Sequence, residues 1–459
     1  MKGKNNKSWR LIMMSTCLVM SLIACDKDSS TEPETPTNNW LPVTENVNGT
    51  LDDIQGMRVL TLWGTNYEQG YAHGYLLGQE IIEALDLLFT DLNLVDIFED
   101  VTLPNIDKFT IPDEYMNEIR GMAQGIQARA GGAVYSSSLD RYIDLNDAIG
   151  VTIFNDVAHI PGCTSFSAWG DLTEDGSTLT GRNNDSPDNV HYTGRKIIII
   201  RKPNPNSSAL PLISVQDPGD THCSTAMNSE GVTLACQAID VFDQTTETEG
   251  FCPDGFIYRK MIESAHAASV VADVSIVLQN LYMSGAEAVF MSWPNANDGP
   301  CAAVFEIDGN LNNGHGFSVR QPKVGESYLI QTNNFWLRSM PTTCWRYNHA
   351  DAALSGITAG NNAPLTVDGT WDLLGEVAPT EAGYIVVHAE VFEPNRMRMH
   401  VAFGEPGTHA PECQKIMLDV AQLLESTINK VPEVHDVFLI STQKNEGDEH
   451  MSMQGRGKK

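Results

Sequence analysis

The chain has 459 residues, a formal net charge of −30 at pH 7 and 19% charged residues. Contacts with phosphates need clustered Lys and Arg, so this acidity argues against nucleic acid as a partner. It indicates a well-solvated surface and says little about a substrate. The length allows two or three ordinary domains, or one large domain with a segment in front of it.

The N-terminus predicts export and lipid attachment. A basic head precedes the apolar run 11–23, which is too short to span a bilayer as a stable helix. The run ends in Leu22-Ile23-Ala24-Cys25, which resembles a lipobox. We therefore expect residues 1–24 to be a signal peptide and Cys25 to become the lipidated first residue, on the periplasmic or cell-surface side of a bacterial membrane. An ordinary secretory cleavage site with a chance cysteine is the alternative.

Residues 25–40 are rich in Ser, Thr, Pro and acidic residues, and this composition predicts a flexible tether. The tether leads into a mainly helical segment, residues 41–162. Within it, Gly70, Gly74 and Gly78 recur every fourth residue, which predicts a smooth helix face on which a second backbone can pack closely.

Two more helices are predicted in the same segment. Pro112 suits the first turn of a helix, and the pair Gly131 and Gly132 ends it. The apolar run 139–154 predicts a further helix. We see no catalytic constellation in this part of the chain.

After residue 162 the periodicity changes to short β-rich runs separated by Gly, Pro, Asn and Asp, typical of antiparallel strands. Helices are predicted at 255–268, 271–282 and 412–428. This order indicates an α+β domain over residues 163–442, with helices covering antiparallel sheets, and a polar tail at 443–459. The predicted strands are 164–170, 177–181, 196–201, 212–216, 231–239, 286–292, 302–307, 328–332, 384–391 and 397–403.

Two short motifs point to chemistry. Cys163 lies in Gly162-Cys163-Thr164-Ser165-Phe166, and Gly181-Arg182-Asn183-Asn184-Asp185 comes at the end of the next predicted strand. Pairing of that strand with the Cys163 strand would bring Arg182 and Asp185 back near Cys163. A free thiol has a pKa of about 8.5, so it needs a nearby cation and a base to act as a nucleophile. The Arg182 guanidinium stays charged and can lower a thiol pKa, and the Asp185 carboxylate can orient an amine. A surface salt bridge beside a turn is the alternative.

These motifs resemble the processing site and first hairpin of the acyl-CoA:6-aminopenicillanic acid acyltransferase-like family, peptidase family C45. They are more distantly similar to choloylglycine hydrolases and penicillin V acylases. The resemblance extends over residues 60–406, and it is the order of the matches that carries it. The further matches are residues 67–78, residues 118–125, Met227-Asn228-Ser229-Glu230-Gly231-Val232, Gln331-Thr332-Asn333-Asn334 and Val391-Phe392-Glu393-Pro394.

The resemblance implies an N-terminal-nucleophile (Ntn) hydrolase with an αββα sandwich fold. It also implies self-cleavage between Gly162 and Cys163, after which Cys163 supplies both the thiol nucleophile and an α-amine base. An α-amine titrates at a pKa of about 7.7–8.0, which suits that task. Arg182 and Asp185 match the family's catalytic arginine and aspartate.

Two further residues match the family. Asn333 matches a threonine-asparagine motif whose amide can donate to an oxyanion, although an asparagine after a strand is also a common turn former. Arg346, in Cys344-Trp345-Arg346-Tyr347, resembles a second arginine that supports the site in related enzymes.

The predicted activity is hydrolysis of a carbon–nitrogen amide bond in a small N-acylated substrate, through a thioester on Cys163. No cofactor is expected, and the scattered histidines lack the spacing of a zinc site. An acyltransferase that passes the acyl group to an amine, an esterase, and a surface ligand-binding lipoprotein without turnover are the alternatives. The sequence leaves open whether segment 41–162 stays bound after cleavage.

The other cysteines permit disulfides without requiring them. Cys223 and Cys236 lie at equal distances from the centre of the turn Asn228-Ser229-Glu230-Gly231, so a hairpin would place them opposite each other. Buried free thiols are the alternative.

Overall fold

The structure is a computed structural model that describes residues 36–91, 93–157, 162–189, 193–239, 250–296, 299–309, 316–338 and 343–425. The chain divides into two units, Met1–Thr37 and Asn38–Lys459, and every element named below belongs to the second. The predicted signal peptide, Cys25, most of the tether and the polar tail lie outside the described residues. Within the described ranges, none of the helices combines the length and apolar character that a membrane crossing requires.

The described residues form helices and strands in alternating groups. The helices are α1 (Asn66–Asp91), α2 (Val95–Ile97), α3 (Asp113–Ala130), α4 (Leu145–Val157), α5 (Asp254–Ser264), α6 (Val270–Asn280), α7 (Trp345–Thr358), α8 (Val367–Glu376) and α9 (Val420–Glu425). The strands are β1 (Gly49–Ile54), β2 (Met57–Gly64), β3 (Tyr135–Ser136), β4 (Arg141–Tyr142), β5 (Cys163–Gly170), β6 (Gly176–Pro187), β7 (Ile197–Pro203), β8 (Leu212–Gln216), β9 (Thr225–Asn228), β10 (Thr233–Ala238), β11 (Ala286–Ser292), β12 (Ala302–Asp308), β13 (Gly316–Arg320), β14 (Tyr328–Gln331), β15 (Tyr384–Glu393), β16 (Arg398–Phe403) and β17 (Lys415–Asp419).

Two large sheets organise the fold. A nine-stranded sheet has the order β1-β2-β7-β8-β9-β10-β11-β12-β13, and a six-stranded sheet has the order β14-β5-β6-β15-β16-β17. Neighbouring strands are antiparallel throughout, except for the parallel pair β2 and β7. Sequential strands are therefore mostly joined by short connections, as expected for antiparallel sheets.

The apolar cores show that the two sheets pack face to face between helical layers. One core joins residues of β7 and β8 to residues of β15, β16 and β17, so it lies between the sheets. A second core lies between the nine-stranded sheet and helices α3, α5 and α6. A third lies between the six-stranded sheet and helices α7 and α8. The predicted α+β class, with antiparallel sheets between helical layers, is confirmed.

The alternation of side chains along β7 shows how the sequence builds these layers. Ile198 and Ile200 face the core between the sheets, and Ile197 and Ile199 face the core that contains residues of α1. Successive side chains of a strand point to opposite faces, so a continuous run of isoleucines marks a strand buried on both faces.

The glycines of α1 pack closely against a second backbone, as predicted, and that backbone belongs to α3. A Cβ added at Gly70 would lie 2.0 Å from the Glu118 carbonyl oxygen, and one at Gly74 would lie 2.1 Å from the Met122 carbonyl oxygen. On α3, a Cβ added at Gly121 would lie 2.2 Å from the Tyr67 carbonyl oxygen of α1. The glycines therefore let the two helix backbones touch, and this contact compensates for the low helix propensity of glycine.

The segment before Cys163 contributes more than helices. Its strands β1 and β2 form one edge of the nine-stranded sheet, and β2 pairs with β7 from beyond Cys163. These two strands were missed because their apolar residues were included in a segment interpreted as mainly helical. Helices α7 and α8 were also absent from the prediction.

The late helix predicted over 412–428 is wrong in its first half. Lys415–Asp419 is the strand β17, paired with β16, and a short helix follows only at Val420–Glu425. Ile416 and Leu418 are buried on alternate positions, which is the period of a strand. Over so few residues the same apolar positions also fit a helical period, and strand pairing decided between the two.

The proposed pairing of Cys223 with Cys236 is also wrong. All cysteines of the described residues are free thiols. Gly231 adopts a positive φ of 77°, which shifts the hairpin register by one residue, so Thr233 pairs with Met227 and the Cys236 amide bonds the Ser224 carbonyl. A shift of one residue turns a side chain to the opposite face of the sheet.

Candidate active site

Three neighbouring strands of the six-stranded sheet bring the predicted residues together. Cys163 begins β5 and pairs with Asn184 of β6, next to Asp185. On the other side of β5, β14 pairs through Gln331 with Ser165, so Asn333 follows the end of β14 beside Cys163. Residues that are far apart in sequence therefore meet at one end of the sheet.

Cys163 is held at both ends of its backbone. Its amide nitrogen donates a hydrogen bond of 2.8 Å to Oδ1 of Asn333. Its carbonyl oxygen accepts a hydrogen bond of 3.3 Å from Nη1 of Arg346. Burial raises the pKa of the thiol above its ordinary value, and the charge of Arg182 acts in the opposite direction. The uncleaved chain thus holds the thiol next to a cation whose effect on the thiol pKa opposes that of burial.

Arg346, in the first turn of α7, links the other members of the site. Its Nη1 donates to Oδ2 of Asp185 at 2.6 Å and to Oγ1 of Thr164 at 3.2 Å. Its Nη2 donates to Oδ1 of Asn333 at 2.8 Å. A planar guanidinium with several fixed donors can orient two partners at once. Arg346 therefore positions both Asp185 and Asn333.

Arg182 lies on β6 opposite Ser165 and is fully buried. Its Nε makes a long hydrogen bond of 3.4 Å to Oγ1 of Thr225. Among the described residues, no nitrogen or oxygen atom accepts a hydrogen bond from its terminal guanidinium nitrogens, and its side chain interacts with the Cys163 thiol. These donors are therefore available to the thiolate or to another anion that forms beside Cys163.

Asp185 is buried as well. Burial raises the pKa of its carboxyl group, while the charges of Arg346 and Arg182 lower it. Oδ2 is bound by Arg346, and Oδ1 has no hydrogen-bond partner among the described residues. The site therefore contains an open acceptor as well as open donors.

The peptide bond before Cys163 is fixed in the same network. The Gly162 carbonyl oxygen accepts a hydrogen bond of 2.9 Å from the Asp185 amide nitrogen. A Cβ added at Gly162 would lie 3.0 Å from both Cβ and the carbonyl oxygen of Asp185. Contacts this short need the neighbour to move, so the close approach to Asp185 favours glycine at this position.

A cavity of about 220 Å³ opens beside Gly162 and Cys163. Helix α4, helix α5 and strands β8, β10 and β11 contribute to its wall, so both the segment before Cys163 and the domain after it line the cavity. Many of its lining side chains are acidic, and they include Asp156, Asp254 and Glu287.

The geometry groups all five predicted catalytic residues, Cys163, Arg182, Asp185, Asn333 and Arg346, around one peptide bond. Sequence reasoning missed the acidic cavity wall. No motif marks Asp254, because Pro253-Asp254 at the start of α5 is the same helix-start signal as Pro112-Asp113 at the start of α3. No group of three or more metal-ligating side chains in metal-binding geometry occurs within the described ranges.

Comparisons with known proteins give partial similarities. No protein-family model matches the chain. An uncharacterized protein of Archaeoglobus fulgidus is 28% identical over 222 residues, which cover 42% of this chain and 35% of that protein. The chain thus matches about a third of the length of this relative.

Three solved structures are similar in part. A Caenorhabditis elegans ortholog of N-acylethanolamine-hydrolyzing acid amidase is 14% identical with a TM-score of 0.38, and the match covers 51% of this chain and 93% of the other. A conjugated bile acid hydrolase from Clostridium perfringens is 11% identical with a TM-score of 0.40, and the match covers 63% of this chain and 100% of the other. A penicillin V acylase from Agrobacterium tumefaciens is 14% identical with a TM-score of 0.39, and the match covers 57% of this chain and 87% of the other. At these TM-scores the likeness assigns no family to this chain.

Proposed function

We propose that this protein is a self-processing Ntn hydrolase of the C45-like type, which cleaves the amide bond of a small N-acylated substrate through a thioester on Cys163. The proposal rests on one observation, that hydrogen bonds fix the peptide bond between Gly162 and Cys163 on both sides. The Gly162 carbonyl accepts from the Asp185 amide, and the Cys163 amide donates to Asn333, beside a cation with open donors and a cavity.

Cleavage needs no group beyond those in the site and water. The thiol of Cys163 attacks the Gly162 carbonyl carbon, a C–S bond forms, the C–N bond breaks, and the amide nitrogen takes up the thiol proton. Water then hydrolyses the thioester, which leaves a carboxylate on Gly162 and a free thiol and α-amine on Cys163. The Asp185 amide nitrogen, 2.9 Å from the Gly162 carbonyl oxygen, is placed to stabilise the oxyanion.

Turnover uses the new α-amine as the base. The amine takes the thiol proton, the thiolate attacks the acyl carbon, and the protonated amine gives its proton to the leaving nitrogen. Oδ1 of Asn333 already accepts from this nitrogen, and the open Oδ1 of Asp185 offers a second acceptor. Arg182 offsets the charge of the thiolate. Water releases the acid.

The proposed oxyanion role of Asn333 in turnover requires a rearrangement. In the uncleaved chain its Nδ2 donates a hydrogen bond of 2.8 Å to the Ala238 carbonyl. This donor can turn to a substrate oxyanion only if cleavage releases it from Ala238. Asn333 therefore supports processing through its oxygen and, after release, turnover through its nitrogen.

Intact mass and N-terminal sequencing of the purified protein test the proposal. The parent is expected as two chains, the second beginning at Cys163, and Cys163→Ala as one. Cys236→Ala is the matched control, since its thiol also lies near Arg182 but not at the bond. The processed parent is then given N-acyl p-nitroanilides with and without a primary amine. Acid as the only acyl product indicates a hydrolase, and a new amide indicates an acyltransferase. An uncut, inactive parent contradicts the proposal.

We also propose that the protein is exported and lipid-anchored through Cys25, on the basis of Leu22-Ile23-Ala24-Cys25 after an apolar run. Radiolabelled palmitate should be incorporated into the membrane fraction of cells that express the parent. Cys25→Ala should lose the label and leave the membrane fraction. A parent that carries no lipid contradicts this part of the proposal.

A further inference from the structure

The cavity beside Cys163 contains carboxyl groups that the proposed chemistry does not use. Asp156 of α4, Asp254 of α5 and Glu287 of β11 all line it, and each is less than a tenth exposed. The three groups interact electrostatically, and Asp156 is influenced by both of the others. Burying several carboxyl groups together is costly unless they are protonated, paired or bound to a cation.

The basic side chains that line the cavity already have their own carboxylate partners. Nζ of Lys196 lies 2.6 Å from Oδ2 of Asp217, and Nδ1 of His388 lies 2.7 Å from Oε1 of Glu390. His222 is 3.7 Å from Asp220. Within the described ranges, neither Asp156 nor Asp254 forms an ion pair with a Lys, Arg or His.

Asp254 also has an unused oxygen. Its side chain is buried and lines the cavity, and within the part of the chain that the structure describes its Oδ1 has no hydrogen-bond partner. An unused buried acceptor is expected to have a partner in some state of the protein.

Helix capping explains only part of this arrangement. Oδ1 of Asp156 accepts a hydrogen bond of 2.7 Å from the Asp254 amide at the start of α5, which is a structural role for Asp156. It does not require Asp254 to be buried, because Asp113 holds the same place after Pro112 at the start of α3 and is exposed. The carboxyl groups of Asp254 and Asp156 also make a side-chain hydrogen bond to each other, which needs a proton on one of them. A cation bound beside them would let both carboxyl groups ionise.

We propose that the cavity binds a cationic group of the substrate, an ammonium or guanidinium, through Asp254 and Asp156. The inference rests on the proposed function and names its substrate class, an N-acylated molecule with a positive charge near the scissile amide. A cavity of about 220 Å³ leaves room for an organic cation of several heavy atoms.

Two pairs of probes of equal length test the charge preference on either side of the amide. On the acyl side, 6-aminohexanoyl p-nitroanilide is compared with heptanoyl p-nitroanilide. On the amine side, N-hexanoyl-1,4-diaminobutane is compared with N-hexanoylpentylamine. The processed protein is expected to prefer the cationic member of at least one pair by tenfold or more in kcat/KM, the effect of a charged hydrogen-bonded pair.

Variants connect the preference to the cavity. Asp254→Asn and Asp156→Asn are each expected to reduce the preference to about threefold or less. Asp113→Asn is the matched control, because it removes an aspartate from the same helix position away from the cavity, and it should keep the preference. Equal rates for both members of each pair, or a preference that survives in both cavity variants, would overturn the inference.

A binding measurement separates this inference from the proposed function. 1,4-Diaminobutane should raise the Tm of the parent and of Asp113→Asn but not of Asp254→Asn, and 1,4-butanediol should raise none of them. A protein that binds diaminobutane in this way but hydrolyses no amide keeps the cation site and loses the proposed function. A protein that hydrolyses neutral and cationic probes equally and shows no diaminobutane shift keeps the function and loses the cation site.

Discussion

Two of the buried arginine clusters in the described part of the chain lie beside a cysteine, and they are built in opposite ways. In the first, Nη1 of Arg259 lies 2.7 Å from Glu118 and its Nε lies 2.8 Å from Glu263. Arg201 adds an ion pair of 3.4 Å to Glu118. The neighbouring Cys223 is fully buried, and burial raises its pKa to about 12 in spite of both arginines.

The second cluster surrounds Cys163 and leaves its groups incompletely paired. Arg346 is bound to Asp185 and Asn333, but no oxygen or nitrogen atom of the described residues accepts from the terminal nitrogens of Arg182, which interacts with the Cys163 thiol. The first cluster neutralises its charges and holds helices together. The second keeps a positive charge available beside a thiol and a cavity. Proximity to arginine therefore does not make a cysteine a candidate nucleophile; an uncompensated charge at an accessible site does.

Of the substitutions that test this comparison, serine in place of Cys163 is expected to have the largest effect, and serine in place of Cys223 is its counterpart in the first cluster. Cys163→Ser should reduce both cleavage and turnover by about a thousandfold or more, because a hydroxyl is far harder to deprotonate than a thiol. Cys223→Ser should be cut normally and remain active, since its thiol takes no part in the chemistry. Cleavage is followed on gels and turnover with p-nitroanilides. Equal losses in the two variants would remove the distinction between the clusters.

Arginine substitutions should separate activity from stability. Arg182→Met is expected to reduce turnover about a hundredfold, because an adjacent charge shifts a pKa by about 1–3 units. Its stability should change little, since it removes a buried charge that has no ion pair. Arg259→Met should lower the free energy of unfolding by about 3–5 kcal/mol, because it leaves Glu118 and Glu263 uncompensated.

Urea denaturation and the rate of the processed enzyme measure both effects on the same preparations. If Arg182→Met lost as much stability as Arg259→Met, the charge of Arg182 would be structural, and the comparison would fail.

The sequence predicted which residues belong to the second cluster, but it did not predict how they are arranged or what lines the cavity beside them. Cys163, Arg182 and Asp185 lie in short motifs on adjacent strands, where strand pairing brings them together. Arg346 showed only a weak motif, yet it has the most contacts in the site, because its position depends on how α7 packs on the sheet. The acidic cavity wall gave no signal at all, since helices and strands from both halves of the chain build it.

Secondary structure was predictable where the apolar residues fitted the period of a strand or of a helix, but not both. Runs such as 197–200, with four consecutive isoleucines, were recognised as strands, whereas β17 was mistaken for a helix because its apolar residues fit both periods. Gly231, at a positive φ, ends a hairpin loop that is one residue longer than the symmetric turn assumed for Cys223 and Cys236, and the register shifts accordingly. Local patterns predicted elements, and register and packing decided their partners.

The buried carboxyl group of Asp254 should make stability depend on pH. Burial raises the pKa of Asp254 to about 7 from an ordinary 3.8. Between these values the folded chain holds a proton that the unfolded chain releases, so the unfolding free energy falls as the pH rises, and the loss is complete above pH 7. Asp254→Asn lacks this titration. Its stability relative to the parent should increase from pH 5 to pH 8 by on the order of a few kcal/mol.

Unfolding midpoints at pH 5 and pH 8 measure this difference, with Asp113→Asn as the control. Asp113 is exposed, so its substitution should give the same small change at both pH values. A flat difference for Asp254→Asn would mean that its carboxyl group is compensated in the folded chain, as the carboxylates of the first cluster are.

The smallest expected effect is on the packing of α1 against α3, the helix that carries Glu118 of the first cluster. Glu118 lies on α3, and a Cβ at Gly70 of α1 would lie 2.0 Å from its carbonyl oxygen. Gly70→Ala must push the helices apart, so we expect a loss of about 1–3 kcal/mol in the free energy of unfolding. Gly375→Ala is the matched control. Gly375 lies in α8 with nothing within 4 Å of an added Cβ, so alanine there should stabilise the protein by about 0.5–1 kcal/mol.

The turnover of the processed enzyme shows whether the two clusters are independent. Gly70→Ala disturbs the helix that carries Glu118, but it touches no residue bound to Cys163, so its turnover at a temperature well below its Tm should equal that of the parent. A loss of turnover without a loss of stability would show that the paired cluster transmits its geometry to the thiol. The contrast between a neutralised cluster that supports the fold and an uncompensated cluster that supports chemistry would then no longer hold.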